Sequence, residues 1–198
     1  QKAVARRASN DLGRPYEQLD LIMVHLGGGI SVGIHEKGKI VDVNNALNGD
    51  GPFAPERAGG LPTGDLVKLC FSGQYTQEEI MKMLAGKGGC VSHLGTNDGR
   101  EMERKVNEGD QKFRLIVEAM AYQVSKTIGE MATVVKGKVD AIVLTGSFAY
   151  FKQFVDWITE RVSWIAPVKV YPGEDEMTAL AEAGFRVLRG EEQAREYV

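Results

Sequence analysis

Alternating apolar and polar stretches divide the first part of the chain into strands. Residues 19–26 form a mostly apolar run of strand length that ends at three consecutive glycines. Residues 30–36 and 39–43 follow, joined by a short polar turn that contains glycine, and this pattern predicts a β-hairpin. Residues 2–12 predict a short helix ahead of these strands. The stretch 44–62 is dense in Asn, Gly and Pro, which predicts a long irregular loop of the kind that is functional or disordered.

Helical periodicity dominates the second part of the chain. Thr76 and Glu79 form a capping-box pattern ahead of an apolar helix face. Residues 110–136 carry apolar residues at steps of three and four, and this Met-bearing stripe predicts a long helix packed on the core. A further helix is expected to begin near Arg100. The end of the chain predicts strand, helix, strand and helix in the order 139–145, 148–158, 168–171 and 174–188.

This order of elements predicts one α/β domain over residues 1–198, with a mixed sheet flanked by helices. Turns at the carboxyl ends of parallel strands usually bind ligands. Three glycine-bearing turns, at 27–29, 95–99 and 146–147, follow apolar strands or open helices. Backbone without side chains can approach a phosphate or a base closely, and helix N-termini favour anions. The turns therefore predict a nucleotide site.

Composition narrows the class of protein. Glycine is enriched, with 24 in 198 residues, whereas the net charge of −3 disfavours binding to nucleic acid. The two cysteines, Cys70 and Cys90, do not make a disulfide scaffold, which is typical of a reduced, cytoplasmic chain. No apolar stretch approaches the roughly 20 residues of a membrane helix. The first residues carry no secretory signal or initiator Met, so we expect a fragment of a longer protein.

Individual candidates leave alternatives open. Gly27 to Gly29 do not match a P-loop and could be a turn without a ligand, and His25 beside them could be structural. Arg57 lies on a loop shaped by prolines and glycines, where its planar donors suit a transferring phosphoryl group. It could equally pair with Glu56 or Asp50 on the surface.

Two acidic positions are also ambiguous. Asp98 could accept a hydrogen bond from a ribose hydroxyl or cap the following helix. The acidic run 174–176 could hold Mg²⁺ through water, or complement the dipole of a helix N-terminus.

Four segments together resemble the acetate kinase/butyrate kinase family, and the match is closest to butyrate kinases. The segments are VHLGGGISVGIHEKGKIVDVNNALNGDGPFAPERAGGLPTGDL, GKGG followed by HLGTNDGRE, DAIVLTGSFA, and VYPGEDEMTALAEAG. The resemblance covers essentially the whole chain. It implies a ribonuclease H-like (actin-like ATPase) fold of the sugar kinase–Hsp70–actin superfamily. It also implies that this chain is the C-terminal, nucleotide-binding half of a two-domain acyl kinase.

The resemblance implies reversible phosphoryl transfer between ATP and a short-chain carboxylate, such as butyrate, giving ADP and the acyl phosphate with Mg²⁺. It assigns Arg57 to the transition state and His25 to the phosphoryl group. The other implied roles are phosphate binding by Gly27, Gly28 and Gly29, ribose and adenine binding by Asp98, Gly99 and Arg100, adenosine binding by Gly146, Ser147 and Phe148, and metal binding by Glu176 with Asp175 as runner-up. Ser147 stands where butyrate kinases usually carry a second glycine.

The resemblance also implies partners that lie outside these residues. An N-terminal half would supply the first phosphate loop, a metal-positioning Asp and much of the acyl pocket, and homodimerisation is expected through the present half. Two alternatives stay open: another acid specificity, such as acetate, isobutyrate or a branched acid, or a nucleotide-binding or oligomerisation module that is not catalytic in isolation.

Overall fold

A five-stranded mixed sheet forms the centre of the protein. In the computed structural model, residues 1–173, 176–191 and 193 are described. The strand order is β3-β2-β1-β4-β5. The strands are β1 Asp20–Leu26, β2 Ile30–Glu36, β3 Lys39–Val43, β4 Ala141–Gly146 and β5 Val168–Pro172. The predicted hairpin and both later strands are confirmed, with small differences at their ends.

Helices cover the sheet, and short 3-10 turns occur at 16–18, 46–48 and 147–150. Most of the predicted helices are confirmed. The helices are α1 Lys2–Asp11, α2 Thr63–Cys70, α3 Gln77–Leu84, α4 Gly89–Leu94, α5 Gly99–Asn107, α6 Gln111–Val134, α7 Lys152–Val162 and α8 Glu176–Leu188. The capping box of α3 is present, since Glu79 N donates to Thr76 Oγ1 and Thr76 N donates to the Glu79 carboxylate.

Two helices were not predicted from the sequence, α2 and α4. Helix α2 buries none of its residues and has no side-chain cap at Pro62, so neither an apolar face nor a capping residue marks it. Helix α4 has only six residues and begins at Gly89, a glycine that the sequence pattern places at the end of the preceding helix. Helix α4 is bonded to a distant loop, through Cys90 N to Ala54 O and Val91 N to Pro55 O, which no local pattern reports.

The register of the sheet brings two of the glycine turns together. Strand β1 pairs antiparallel with β2 and parallel with β4, and His25 lies opposite Thr145 in the parallel pair. The carboxyl ends of β1 and β4 therefore lie at the same edge of the sheet. The turn at Gly27 to Gly29 and the turn at Gly146-Ser147 follow these two ends directly.

The core has two layers, one on each face of the sheet. Alternate residues of β1 point to opposite faces: Ile22 and Val24 belong to the larger cluster, and Leu21 and Met23 to the smaller one. The larger cluster includes the apolar side of α6, as the predicted core stripe requires, together with residues of α7. Helix α1 covers the other face through Ala5 and Ala8. Among the described residues, no helix combines the length and apolarity needed to span a membrane.

A histidine on β2, His35, is fully buried, and both of its ring nitrogens have polar partners. The hydroxyl of Tyr16 lies 2.8 Å from His35 Nδ1, and the other ring nitrogen lies 3.2 Å from Gln1 Oε1. Burial raises the pKa of Tyr16 to about 12, so its hydroxyl stays protonated and donates to Nδ1. Burial, with the positive charges of the N-terminal amine and of Lys2 adding to it, lowers the pKa of His35 from 6.5 to about 4.

We expect His35 to contribute to acid denaturation. Between pH 6.5 and about 4 the unfolded chain binds a proton at this residue and the folded chain does not. The contribution is thus fully present above pH 6.5, and about 2–3 kcal/mol of the free energy of unfolding is lost as the pH falls to 4. Denaturant titrations of the wild type and His35→Gln at pH 7 and pH 4 measure it. Equal pH dependence in the two proteins would contradict this assignment.

Candidate active site

Gly146 fixes the approach of the two turns that follow β1 and β4. Its φ of +97° and ψ of 176° lie in a region that is essentially restricted to glycine. A Cβ there would overlap the carbonyl of Leu26, the last residue of β1. Gly146 itself does not line the adjacent cleft. Gly146 therefore contributes to the cleft through its backbone conformation, which positions Ser147 and Phe148, and not by contacting a ligand.

The three predicted turns converge on one cleft of about 620 Å³, which we call the nucleotide cleft after the role predicted for these turns. This size lies within the range of small-molecule sites. Six of the residues assigned to nucleotide binding line it, so the sequence prediction that these turns share a site agrees with the geometry. The lining residues are Gly28, Glu56, Asn97, Asp98, Gly99, Arg100, Glu103, Ser147, Phe148, Tyr150 and Phe151.

The N-terminus of α5 forms one wall of the nucleotide cleft. Asp98 Oδ1 accepts a hydrogen bond from Arg100 N at 2.9 Å, so Asp98 caps the helix, as one of its two sequence interpretations requires. Gly99 packs against the ring of Phe148, which a Cβ would approach to 3.0 Å. Phe148 is almost fully buried and also packs edge-on against Phe154. The wall combines helix amide groups with a ring anchored in the core.

A second pocket of about 510 Å³, which we call the phosphoryl pocket, adjoins the same glycine turn. Gly28 lines the nucleotide cleft and Gly29 lines the phosphoryl pocket, so the turn separates the two. The two residues predicted to act on the phosphoryl group, His25 and Arg57, both lie here. The lining residues are His25, Gly29, Ser31, Val43, Asn44, Asn45, Ala46, Leu47 and Arg57.

Backbone hydrogen bonds fix the loop that carries Arg57. Ala54 N donates to Arg57 O at 3.0 Å, and Arg57 forms an isolated β-bridge with Ala85. Across the pocket, the Cγ of Arg57 packs against Gly29, at 3.6 Å from the position of a Cβ. A rigid loop of this kind holds a cation in one position without an entropic cost on binding.

The Arg57 guanidinium is largely buried and partly satisfied. Its side chain is 20% exposed, and Nη1 lies 3.3 Å from Glu56 Oε2. Its Nε is buried and finds no acceptor among the described residues. The expected pairing with Glu56 therefore exists, but Arg57 is not the solvated surface arginine of that alternative. The exposed part of the guanidinium lines the phosphoryl pocket, where its charge suits it to bind an anion.

Several lining residues were not selected from the sequence. Asn97 immediately precedes the predicted Asp98, and Glu56 precedes Arg57, so proximity to a chosen residue was the available signal. Asn44 anchors the long loop: its Oδ1 accepts from Val32 N at 2.7 Å, and its Nδ2 donates to Asp50 O at 3.0 Å. Asn44 and Ala46 both line the phosphoryl pocket. An Asn between a strand and a glycine-rich segment is a weak marker of such an anchor.

The predicted metal ligands lie at the edge of what is described. Asp175 is outside the described residues, and Glu176 begins α8 while its side chain is likewise not described. Within the described part of the chain, no three His, Cys, Asp or Glu side chains cluster closely enough to hold a metal ion.

The chain belongs to the acetokinase family, whose pattern matches residues 1–156. Among solved structures, it is similar to an acetate kinase from Porphyromonas gingivalis, with a TM-score of 0.83 and 21% identity over 93% of this chain and 53% of that one. It is also similar to a propionate kinase from Francisella tularensis, with a TM-score of 0.75 and 22% identity over 89% of this chain and 51% of that one.

A more distant similarity extends to a ROK hexokinase from Thermus thermophilus, with a TM-score of 0.51 and 16% identity over 90% of this chain and 61% of that one. The mixed sheet with helices on both faces and these likenesses confirm the predicted ribonuclease H-like, actin-like ATPase fold. The chain spans about half the length of the acetate and propionate kinases that it matches.

Proposed function

We propose that this chain is the nucleotide-binding half of a butyrate kinase-like enzyme that transfers a phosphoryl group between ATP and a short-chain carboxylate. Membership of the acetokinase family supports phosphoryl transfer to a carboxylate. The observation that carries the proposal is the pair of adjoining cavities. A nucleotide-sized cleft meets, across the Gly28-Gly29 turn, a pocket that holds Arg57 and His25.

The proposed reaction runs along the line that joins the two cavities. Adenosine lies in the nucleotide cleft and its phosphate chain crosses the glycine turn, where bare backbone lets phosphate approach. A carboxylate oxygen of the acid attacks the γ-phosphorus, a new P–O bond forms, and the bond to the bridging oxygen breaks as its electron pair leaves with ADP. The protein contributes positioning and charge rather than covalent chemistry.

Arg57 and His25 act on the transferring group in this proposal. The planar guanidinium of Arg57 donates to the equatorial oxygens, on which charge is spread in the transition state. The ring of His25 lines the same pocket and supplies a further donor. Mg²⁺, which the family implies, neutralises charge on the β- and γ-phosphates when bound. Its proposed ligands remain Glu176 and Asp175.

Apolar side chains in the phosphoryl pocket support a short aliphatic acid as the acceptor. Val43, Ala46 and Leu47 line the pocket together with Arg57. Burial of each further methylene group on such a wall contributes about 0.8 kcal/mol, which favours butyrate over acetate where the space allows it. The complete pocket would also include residues of an N-terminal half, and we retain that half and a homodimer as parts of the proposal.

A coupled kinase assay of the complete enzyme with ATP and a series of acids tests the function. We expect butyrate to give the highest kcat/KM, with isobutyrate, propionate and acetate below it. A maximum at acetate or propionate would assign the enzyme to one of those acids instead. Absence of acyl phosphate with every acid, in a folded protein that binds ADP, would leave the non-catalytic module as the function.

A further inference from the structure

Glu56 lies at the border between the two cavities, although no role has been assigned to it so far. It lines the nucleotide cleft, whereas its neighbour in sequence, Arg57, lines the phosphoryl pocket. The phosphate chain of a nucleotide that reaches from one cavity to the other would pass this point. A carboxylate is an adverse neighbour for phosphate in the ground state, because like charges repel. A carboxylate at this position is therefore expected to have a function that offsets the repulsion.

The backbone of Glu56 is held on both sides. Its N–H donates to Gly28 O at 3.0 Å, and its carbonyl accepts from Gly86 N at 2.7 Å. The first bond attaches the residue directly to the glycine turn. Its carboxylate lies over the same glycine, with Oε2 only 3.5 Å from where a Cβ of Gly28 would be. A Cβ at position 28 would be in ordinary van der Waals contact with this carboxylate, so the carboxylate lies directly against the turn.

The two carboxylate oxygens of Glu56 bind partners on two different segments. Oε1 accepts a hydrogen bond from Asn97 Nδ2, which lies on the loop before α5. Oε2 pairs with Arg57 Nη1 at 3.3 Å. Both members of this ion pair are mostly shielded, with side chains 33% and 20% exposed. The bridge thus connects a wall of the nucleotide cleft to the guanidinium in the phosphoryl pocket.

We propose that Glu56 is a positioning residue, which orients Arg57 towards the transferring phosphoryl group and couples its orientation to the loop of Asn97 that borders the nucleotide. This inference rests on the proposed function and concerns a residue of the same site. A carboxylate that Asn97 holds through Oε1 and that pairs with Arg57 Nη1 through Oε2 restricts the orientations of the guanidinium. Holding a donor in place before the reaction lowers the barrier without forming any covalent bond.

This role has a kinetic signature that a merely structural role lacks. Removing the negative charge of Glu56 relieves its repulsion of the nucleotide phosphates, so KM for ATP falls. The same change frees the guanidinium, so kcat falls as well. A fall in both constants is the mark of an interaction that costs ground-state binding and assists the transition state. Loss of local packing would instead lower kcat together with thermal stability, or raise KM.

The test is steady-state kinetics on the complete enzyme with Glu56→Gln, which keeps the size of the side chain and removes its charge. We expect kcat to fall about tenfold and KM for ATP to fall about twofold, with the thermal midpoint unchanged. Glu78→Gln is the matched control, because Glu78 also pairs with a basic residue, Lys82, but lies exposed on α3. This control is expected to keep both kinetic constants.

A double-mutant comparison tests whether Glu56 affects kcat through Arg57. If Glu56 acts by positioning this residue, Glu56→Gln causes no further fall in kcat when Arg57→Ala is already present. Additive losses would overturn the inference, as would wild-type kcat or a raised KM in the single variant. When wild type forms acyl phosphate and Arg57→Ala is impaired, these outcomes overturn only the role of Glu56. A complete enzyme that phosphorylates no carboxylate would remove the proposed function and this inference together.

Discussion

Replacement of Arg57 by alanine is expected to lower kcat of the complete enzyme about 100- to 1,000-fold, with a much smaller change in KM. The guanidinium is held by a hydrogen-bonded loop, is largely shielded from solvent and lies in the pocket that also contains His25. Removing one preorganised donor from a transition-state charge typically costs about 3–4 kcal/mol of barrier. Since the proposed role of Arg57 is to act on charge that develops during transfer, we expect the loss to fall on kcat.

Two further variants make this measurement specific. Arg57→Lys keeps the charge but loses the planar donors, so we expect it to recover only part of the lost turnover. Arg104→Ala removes an exposed arginine of α5, which pairs at 2.7 Å with Glu108 just beyond the helix, and it should retain wild-type kinetics. Near-normal kcat in Arg57→Ala would show that Arg57 does not stabilise the transferring group. Stopped assays of acyl phosphate formed at saturating ATP and acid give all three values.

Patterns of neighbouring residues were sufficient to predict most of the strands and helices from the sequence. The apolar run at 19–26 and the alternation at 30–36 each fix a strand, because burial of one or both faces follows directly from the periodicity. The stripe on α6 fixes a long helix for the same reason. Asp110 then marks its start, accepting from Lys112 N and Phe113 N. These signals depend on residues that are near one another in sequence.

The arrangement of the site depended on contacts that are distant in sequence. The glycine turns could be predicted to share a cleft, since they follow parallel strands or open a helix. The contact of Glu56 with Asn97 joins residues 41 positions apart, and no local pattern reports it. The division into a nucleotide cleft and a phosphoryl pocket likewise arises where the loop of Arg57 crosses the turn at Gly28 and Gly29. Helix α4 was missed although its N-terminus holds that loop.

The loop that carries Arg57 depends on a glycine outside the predicted site, Gly89 at the start of α4. Helix α4 binds the loop through two backbone bonds, from Cys90 N to Ala54 O at 3.1 Å and from Val91 N to Pro55 O at 3.0 Å. Gly89 has a φ of +58°, and a Cβ there would overlap the carbonyl oxygen of Ala54 and lie 2.5 Å from that of Arg57. An alanine side chain therefore cannot be accommodated unless the loop moves.

We expect Gly89→Ala to reduce the free energy of unfolding by about 2–5 kcal/mol. The left-handed conformation costs about 1–2 kcal/mol for a residue with a Cβ, and overpacking against fixed backbone adds about 1–3 kcal/mol. Denaturant unfolding followed by circular dichroism measures the change. Because the clash lies against the carbonyls of the Arg57 loop, the variant that remains folded should also have a lower kcat.

Gly109→Ala separates backbone strain from the clash. Gly109 has a φ of +85°, similar to that of Gly89, but nothing lies within 4 Å of the position of its Cβ. Its replacement should cost only the conformational part, about 1–2 kcal/mol, and leave kcat unchanged. Equal losses of stability in the two variants would mean that the loop carrying Arg57 moves to accommodate a side chain at position 89 at little cost in free energy. Full activity of Gly89→Ala would then show that catalysis does not require the loop to be held by α4.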